Sequence, residues 1–388
     1  MDQSKIHQEK IKSRHISTAV HLLESYSGNV PMSVYLKKYF SQNRQHGSRD
    51  RKEISSLVYN YFRLGNGIVK PLSVEGKIKF AEKLIWNSFE NPDMKNIRKQ
   101  VESAKEIFNP ESILRFKNEL SGEVDCDLFS MSFLIQPILF IRIRPGKKEI
   151  VLNQLKENNI PFSEYSATCI GLPNGTNIEK VLKLNSDVVI QDFSSQQIET
   201  FLKKIPQTKD PPLKVWDCCA GSGGKSILAK DCFSNLRLTV SDKRKSILEN
   251  LKDRFREAEI KNYQSLLLDL TQKTNSPIPN APFDLIIADV PCSGSGTWSR
   301  TPEQLSTFKE KEIENYSSLQ KSIIKNVIPS LKKDGYLLYI TCSVFEKENE
   351  GNVTYFSTIF NMDVNAQSYL KGYEKRADTM FAALLKFR

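Results

Sequence analysis

The sequence predicts an α/β protein: a doubly wound parallel sheet over residues 206–388, preceded by a helical domain over 1–125 and a small α/β connector over 126–205. Three observations carry this reading. Apolar residues recur at helical spacing through the first third of the chain. From residue 213 onward strand-like and helix-like segments alternate, the signature of repeated β-α units. The unusual Gly-, Asp- and Cys-bearing segments sit after strand-like runs, where ligands bind in such sheets.

In the helical domain, Ile16, Ala19, Val20 and Leu23 share one stripe, and Ile54, Leu57, Val58 and Tyr61 another. Arg44, Arg49, Arg51, Lys52 and Arg63 are interleaved with them and are read as a basic face. The connector opens on a strand over Ile138–Arg144, continues as a helix over Lys147–Asn158 and ends in short strand-like pieces up to Val188-Val189-Ile190. Lys203–Pro212, with three Lys and three Pro, is the expected boundary. Beyond it, strands are expected at Val215-Trp216, Leu236–Ser241, Ser265–Leu268, Asp284–Val290 and Gly335–Thr341. Helices are expected at Ser226–Cys232, Lys245–Glu259 and Glu303–Lys333.

Composition narrows the function classes. The chain of 388 residues is 39% apolar and 26% charged, ordinary for a globular protein. Its net charge is +11, and residues 1–100, with 18 basic and 9 acidic side chains, hold most of the excess. That bias suits a polyanionic partner. The four histidines, His7, His15, His21 and His46, all precede residue 50, so chemistry in the later part proceeds without imidazole. The seven cysteines form no C-x-x-C pair and no zinc spacing, so no metal is expected. Met1-Asp2-Gln3-Ser4-Lys5 does not read as a signal peptide, and the longest nearly apolar run, Ser132–Ile141, is too short to span a bilayer. A soluble protein of a reducing compartment follows, in which a special cysteine is expected to be catalytic rather than disulfide-bonded, and a cytoplasmic monomer is the expectation.

The Gly-rich segment Asp217-Cys218-Cys219-Ala220-Gly221-Ser222-Gly223-Gly224-Lys225-Ser226 lies between a strand and a helix. A P-loop would need Gly at Cys219, and a dinucleotide fingerprint starting at Gly221 would need Gly at Ser226. What remains is a tight turn that lets a ligand approach the backbone. Asp242 ends the second strand, where a carboxylate receives ribose hydroxyls, and Asp269 closes the third, placed to meet an adenine edge. A ribose and an adenine without a pyrophosphate cradle point to S-adenosylmethionine.

The fourth strand delivers Asp289-Val290-Pro291-Cys292-Ser293-Gly294-Ser295-Gly296, and the fifth delivers Thr341-Cys342-Ser343. Two cysteines on the cofactor rim suit methylation at carbon 5 of cytosine. That carbon is too weak a nucleophile until a thiolate adds to carbon 6. A cation near the thiol favours the thiolate, and Lys225 is a candidate.

The motifs Asp-x-Cys-Ala-x-x-Gly-Gly-Lys, Asp-Val-Pro-Cys-Ser-Gly-Ser-Gly and Thr-Cys-Ser-Val-Phe-x-x-Glu-Asn-Glu together resemble the RNA 5-methylcytosine methyltransferases of the Fmu/Sun (RsmB-like) family. The resemblance covers roughly 186–388 and includes Gln191–Gln196 and Asp378-Thr379-Met380-Phe381. Over 1–185, Gly47–Arg51 and Leu57-Val58-Tyr59 resemble the family's NusB-like helical domain. The resemblance implies a Rossmann-like methyltransferase domain in which Cys342 is the nucleophile and Cys292 assists product release. It implies that Asp289 holds the cytosine and faces the methionine part of the cofactor. Cys219, Ala220, Gly221, Ser222, Gly223, Gly224, Lys225, Asp242 and Asp269 would bind S-adenosylmethionine. Two departures stand out. Gly221-Ser222 replaces the usual Ala-Pro, which loosens the turn, and Trp298-Ser299-Arg300 keeps one Arg where the family often has two. The second cysteine favours RNA over DNA, with ribosomal RNA the leading substrate. Transfer RNA, or an idle RNA-binding assembly factor on the same fold, are the alternatives.

Overall fold

The computed structural model describes residues 3–207, 210–272 and 277–388, with side chains from His7 onward. Met1 and Asp2, in the segment read for a signal, and Thr208 and Lys209, inside the expected boundary, lie outside the described residues. The chain forms two compact units.

The described part of the first unit runs to Asn118 and takes in Asp125–Pro137 and Thr297–Lys309. Its helices are α1 (Gln3–Ser25), α2 (Met32–Gln42), α3 (Ser48–Arg63), α4 (Val74–Leu84), α5 (Met94–Ser103) and α6 (Cys126–Ser132). The predicted stripes form its core: Ile16 and Ala19 meet Leu36, Phe40, Ile54, Leu57 and Val58. Within the Gly47–Arg51 motif, the Asp50 carboxylate accepts the Gly47 N–H at 3.0 Å, starting α3, and pairs with His15 at 3.0 Å. Arg44, Arg49, Arg51 and Lys52 are exposed. Arg63 is not part of that basic face. It follows Leu57 and Asn60 on the buried stripe of α3, is 4% exposed, and donates to the Phe133 carbonyl at 3.4 Å.

The second unit comprises Glu119–Val124, Ile138–Gly296 and Glu310–Arg388. Its connector holds β1 (Leu139–Ile143), α7 (Lys148–Glu157), β2 (Ser163–Glu164), β3 (Cys169–Leu172) and β4 (Val188–Ile190), with the strands in an antiparallel sheet ordered β2-β3-β1-β4. Two short helices follow, α8 (Phe193–Gln197) and α9 (Glu199–Leu202).

The large sheet is built from β5 (Leu213–Asp217), α10 (Gly224–Cys232), β6 (Leu236–Asp242), α11 (Lys245–Glu257), β7 (Tyr263–Leu267) and β8 (Phe283–Asp289). The short α12 (Gln304–Thr307) belongs to the first unit, after which come α13 (Lys311–Val327), β9 (Leu331–Thr341), α14 (Glu350–Ile359), β10 (Met362–Leu370) and β11 (Met380–Phe387). The strand order is β10-β11-β9-β8-β5-β6-β7. Strands β5 to β9 run parallel, so Asp217, Asp242, Asp289 and Thr341 end at one rim. The order reverses between β8 and β5, which opens a crevice there. Alternate strand residues Val215, Leu238, Val240, Leu285, Ile287, Leu338 and Ile340 form the buried core on one face.

Two expectations need correction. The helix expected over Glu303–Lys333 is broken after Thr307, and α13 stops before Pro329, which disfavours helix in the residue ahead of it. The sheet is mixed, because β11 pairs antiparallel with both β9 and β10. The short link from Leu370 to Met380 suits a hairpin-like return and is too brief for a parallel crossover. No helix among the described residues is long and apolar enough to cross a membrane.

Candidate active site

The Gly-rich turn follows β5 and leads into α10, so its backbone faces the rim. Gly223 adopts φ +84°, and a Cβ there would strike the Phe255 ring at 2.6 Å. Neither constraint applies to Gly224, where a Cβ would meet nothing within 4 Å apart from its chain neighbours and its own helix backbone. That open space is what a ligand lying against the turn requires. Ser222, the departure expected to loosen the turn, is held by Arg254, which donates to its carbonyl at 2.9 Å and its hydroxyl at 2.7 Å.

Asp242 lies beside the turn, accepting the Gly221 N–H at 3.2 Å. Arg244 grips the same carboxylate through Nε at 3.0 Å and Nη2 at 3.1 Å. Burial pushes the Asp242 carboxyl up, but these donors outweigh it and leave it below the ordinary value. The Arg244 side chain is 57% exposed, whereas the Asp242 side chain is 7% exposed. Asp269 is exposed and uses Oδ1 locally, accepting the Thr271 N–H at 3.0 Å and hydroxyl at 2.7 Å. Asp217, at the end of β5, is fully buried beneath the turn. Burial pushes its carboxyl up to about 7, against a 2.6 Å hydrogen bond from Ser226.

Lys225 is tied to Asp289 rather than to a thiol. Its Nζ donates to Asp289 Oδ2 at 3.0 Å and to Ser195 Oγ at 2.8 Å. Ser195 also accepts from Gln191 at 3.1 Å, and Gln191 accepts from the buried Arg142 at 2.8 Å. Sequence reasoning gave Gln191 and Ser195 no role, although both lie in the quoted Gln191–Gln196 motif. Arg254 carried no sequence signal, because a helix-surface arginine looks alike whether it pins a turn or faces water.

The two cysteines meet. Cys292 Sγ and Cys342 Sγ are 3.1 Å apart, and the Cys342 N–H points at Cys292 Sγ at 3.3 Å. The hydrogen bond to Cys342, with burial added, holds the Cys292 thiol well above its ordinary pKa. Cys292 therefore keeps its proton at neutral pH. Gly296 fastens this loop to its neighbours, donating to the Cys342 carbonyl at 2.9 Å and accepting the Thr379 N–H at 2.8 Å. A Cβ at Gly296 would lie 2.0 Å from the Thr379 carbonyl oxygen, so no larger residue allows this approach.

The arrangement can therefore hold an adenosine-bearing ligand at the turn and present a thiol pair and a lysine-held carboxylate beside it. Residues 202–363 match the family model described as 16S rRNA methyltransferase RsmB/F. The chain is 28% identical over 229 residues to the probable ribosomal RNA small subunit methyltransferase B of Bacillus subtilis (strain 168), covering 55% of this chain and 50% of that protein. It is 30% identical over 216 residues to ribosomal RNA small subunit methyltransferase B of Salmonella arizonae, covering 51% and 47% respectively. The chain thus spans about half the length of the curated relatives it matches. Among solved structures, PH0851 shares the fold with a TM-score of 0.69 at 20% identity, over 95% of this chain and 96% of that one. A methyltransferase homolog protein from Pyrococcus horikoshii follows at 0.57 and 18%, over 70% and 92%.

Proposed function

We propose that this chain, which belongs to the Fmu/Sun (RsmB-like) methyltransferase family, methylates carbon 5 of a cytosine in ribosomal RNA through a covalent bond from Cys342. The observation that carries this reading is the meeting of Cys292 and Cys342 at 3.1 Å on the rim that holds Asp289 and the Gly-rich turn. A single thiol would suffice for packing. Two, with one kept protonated, suit a covalent cycle of attack and release.

The turn from Cys219 to Lys225, with Asp242 and Asp269, is the proposed cofactor site. S-adenosylmethionine, when bound, supplies an electrophilic methyl group that an activated carbon 5 accepts. The rest of the chemistry falls to the chain. Lys225 holds Asp289 by Oδ2, leaving Oδ1 to receive the amino group of the cytosine ring. The Cys342 thiolate forms the bond to carbon 6, and the ring's double-bond electrons shift away from that carbon, making carbon 5 nucleophilic. Once Cys342 is bonded to carbon, Cys292 loses the main cause that retains its proton. It can then lose that proton to solvent and accept the carbon 5 proton as the ring double bond re-forms. The bond to Cys342 breaks in the same step and returns the thiolate.

The test is product analysis. Purified protein and methyl-labelled S-adenosylmethionine are incubated with small-subunit ribosomal RNA and, in a parallel reaction, with transfer RNA, and each RNA is digested to nucleosides. Label in 5-methylcytidine is expected. Label confined to another nucleoside would overturn the carbon 5 chemistry, and label only in transfer RNA would overturn the substrate.

A further inference from the structure

The cysteines sit on two separate loops, after β8 and after β9, and something must keep those loops in register. Glu348 is fully buried, in the helical turn ahead of α14. Its Oε2 accepts the Ser293 N–H at 2.9 Å and the Gln320 amide at 2.8 Å. Its Oε1 accepts the Ser343 hydroxyl at 2.6 Å. Ser293 follows Cys292 and Ser343 follows Cys342, so one carboxylate ties down both cysteine loops. The grip extends to the other side of each cysteine. Gln320 also donates to the Pro291 carbonyl at 3.0 Å, and Asn349 accepts from Thr341 Oγ1 at 2.5 Å.

A buried carboxylate is costly unless its lone pairs are filled, and a hydrocarbon would fill the volume more cheaply. What a hydrocarbon cannot do is accept hydrogen bonds from the loops of both cysteines at once. The donors to Glu348 are the Ser293 backbone and side chain, the Ser343 hydroxyl and the Gln320 amide, and none of them is a thiol.

We propose that Glu348 is a positioning residue that holds the Cys292 and Cys342 loops so that the two sulfurs meet. This rests on the reading of the cysteines given above. The role is geometric rather than electrostatic, and two conservative variants separate these. In Glu348→Gln, the amide oxygen can face the two obligate donors, while its NH₂ faces the Ser343 hydroxyl, which can turn to accept. Glu348→Asp keeps the charge but is one methylene too short to reach both loops.

Two measurements decide the matter. In the otherwise unaltered protein, the azodicarboxamide diamide oxidises the two thiols to a disulfide, taking up their two protons and two electrons, and peptide mapping gives the Cys292–Cys342 pairing rate. This needs no RNA. In a Cys292→Ala background, the rate of a denaturant-resistant RNA adduct reports attack by Cys342. Glu348→Gln should stay within about threefold of the parent in both, whereas Glu348→Asp should slow both by roughly 100-fold, the effect of a displacement near 1 Å. Thermal melting and S-adenosylmethionine affinity serve as controls for folding. If Glu348→Asp does not fold, Ser343→Ala, which removes the bond from the Cys342 loop, should slow pairing by roughly tenfold. Parental rates in a folded Glu348→Asp or Ser343→Ala would overturn the proposal, as would loss in Glu348→Gln equal to that in Glu348→Asp. The expected pairing pattern with no adduct in any variant would leave the positioning intact and sink the covalent RNA chemistry instead.

Discussion

Asp242 and Asp217 lie at the ends of neighbouring strands, yet their surroundings give them opposite tasks. Asp242 pairs with the exposed Arg244 at the rim and is the proposed ligand of the cofactor's ribose. Asp242→Ala should raise the Kd for S-adenosylmethionine by roughly 10–100-fold, the loss of about 1.5–3 kcal/mol of charged hydrogen bonding. Titration calorimetry checks this, and an unchanged Kd would move the ribose contact elsewhere. Asp217 is sealed under the turn and binds a proton more tightly folded, near pH 7, than unfolded at the ordinary 3.8. Its contribution to stability is therefore fully present below that ordinary value and is lost as pH rises toward and through about 7. Asp217→Asn should remove this dependence, so urea midpoints of the parent should fall relative to the variant between pH 5 and about 8. Parallel pH curves for the two proteins would show that Asp217 is ionised throughout.

At the scale of elements, the turn after β5 depends on Gly223 for both its left-handed backbone and its contact with Phe255. Gly223→Ala should cost roughly 2–4 kcal/mol, combining the backbone penalty with overpacking against the ring. It should also weaken S-adenosylmethionine binding, and denaturant unfolding with calorimetry would measure both. A variant as stable as the parent would show that the turn adapts. This turn was legible in the sequence because glycines between a strand and a helix leave few alternatives. The parallel strands were legible for a similar reason, since each is a short apolar run bounded by polar residues. The β10–β11 hairpin was not, because strand direction depends on where the chain returns and not on local pattern. Arg63 misled because a buried arginine and a surface arginine look alike in sequence. The two cysteines could be placed on one rim from strand order, but not the 3.1 Å approach between them, nor the Glu348 bridge behind it.

For the molecule as a whole, the excess of positive charge in residues 1–100 is concentrated in the helical unit, where Arg44, Arg49, Arg51 and Lys52 are exposed. Deleting these residues outright would also strip the core from Asp125–Pro137 and Thr297–Lys309, which fold with them. Changing the four basic residues to Gln is the cleaner experiment. It should weaken RNA binding and flatten its salt dependence by about 0.7–0.9 in log–log slope for each phosphate no longer neutralised. Affinity for S-adenosylmethionine should be unchanged. An unaltered salt slope would remove this face from RNA docking. The central claim, that the cysteine pair runs a covalent cycle on RNA, is tested most directly by a denaturing gel of labelled RNA with the two cysteine variants. Cys292→Ala should accumulate a denaturant-resistant protein–RNA adduct, because attack proceeds and release is blocked, and the adduct should vanish when Cys342→Ala is added. Adduct in Cys342→Ala alone with none in Cys292→Ala would exchange the two roles, and adduct in neither would contradict the covalent account.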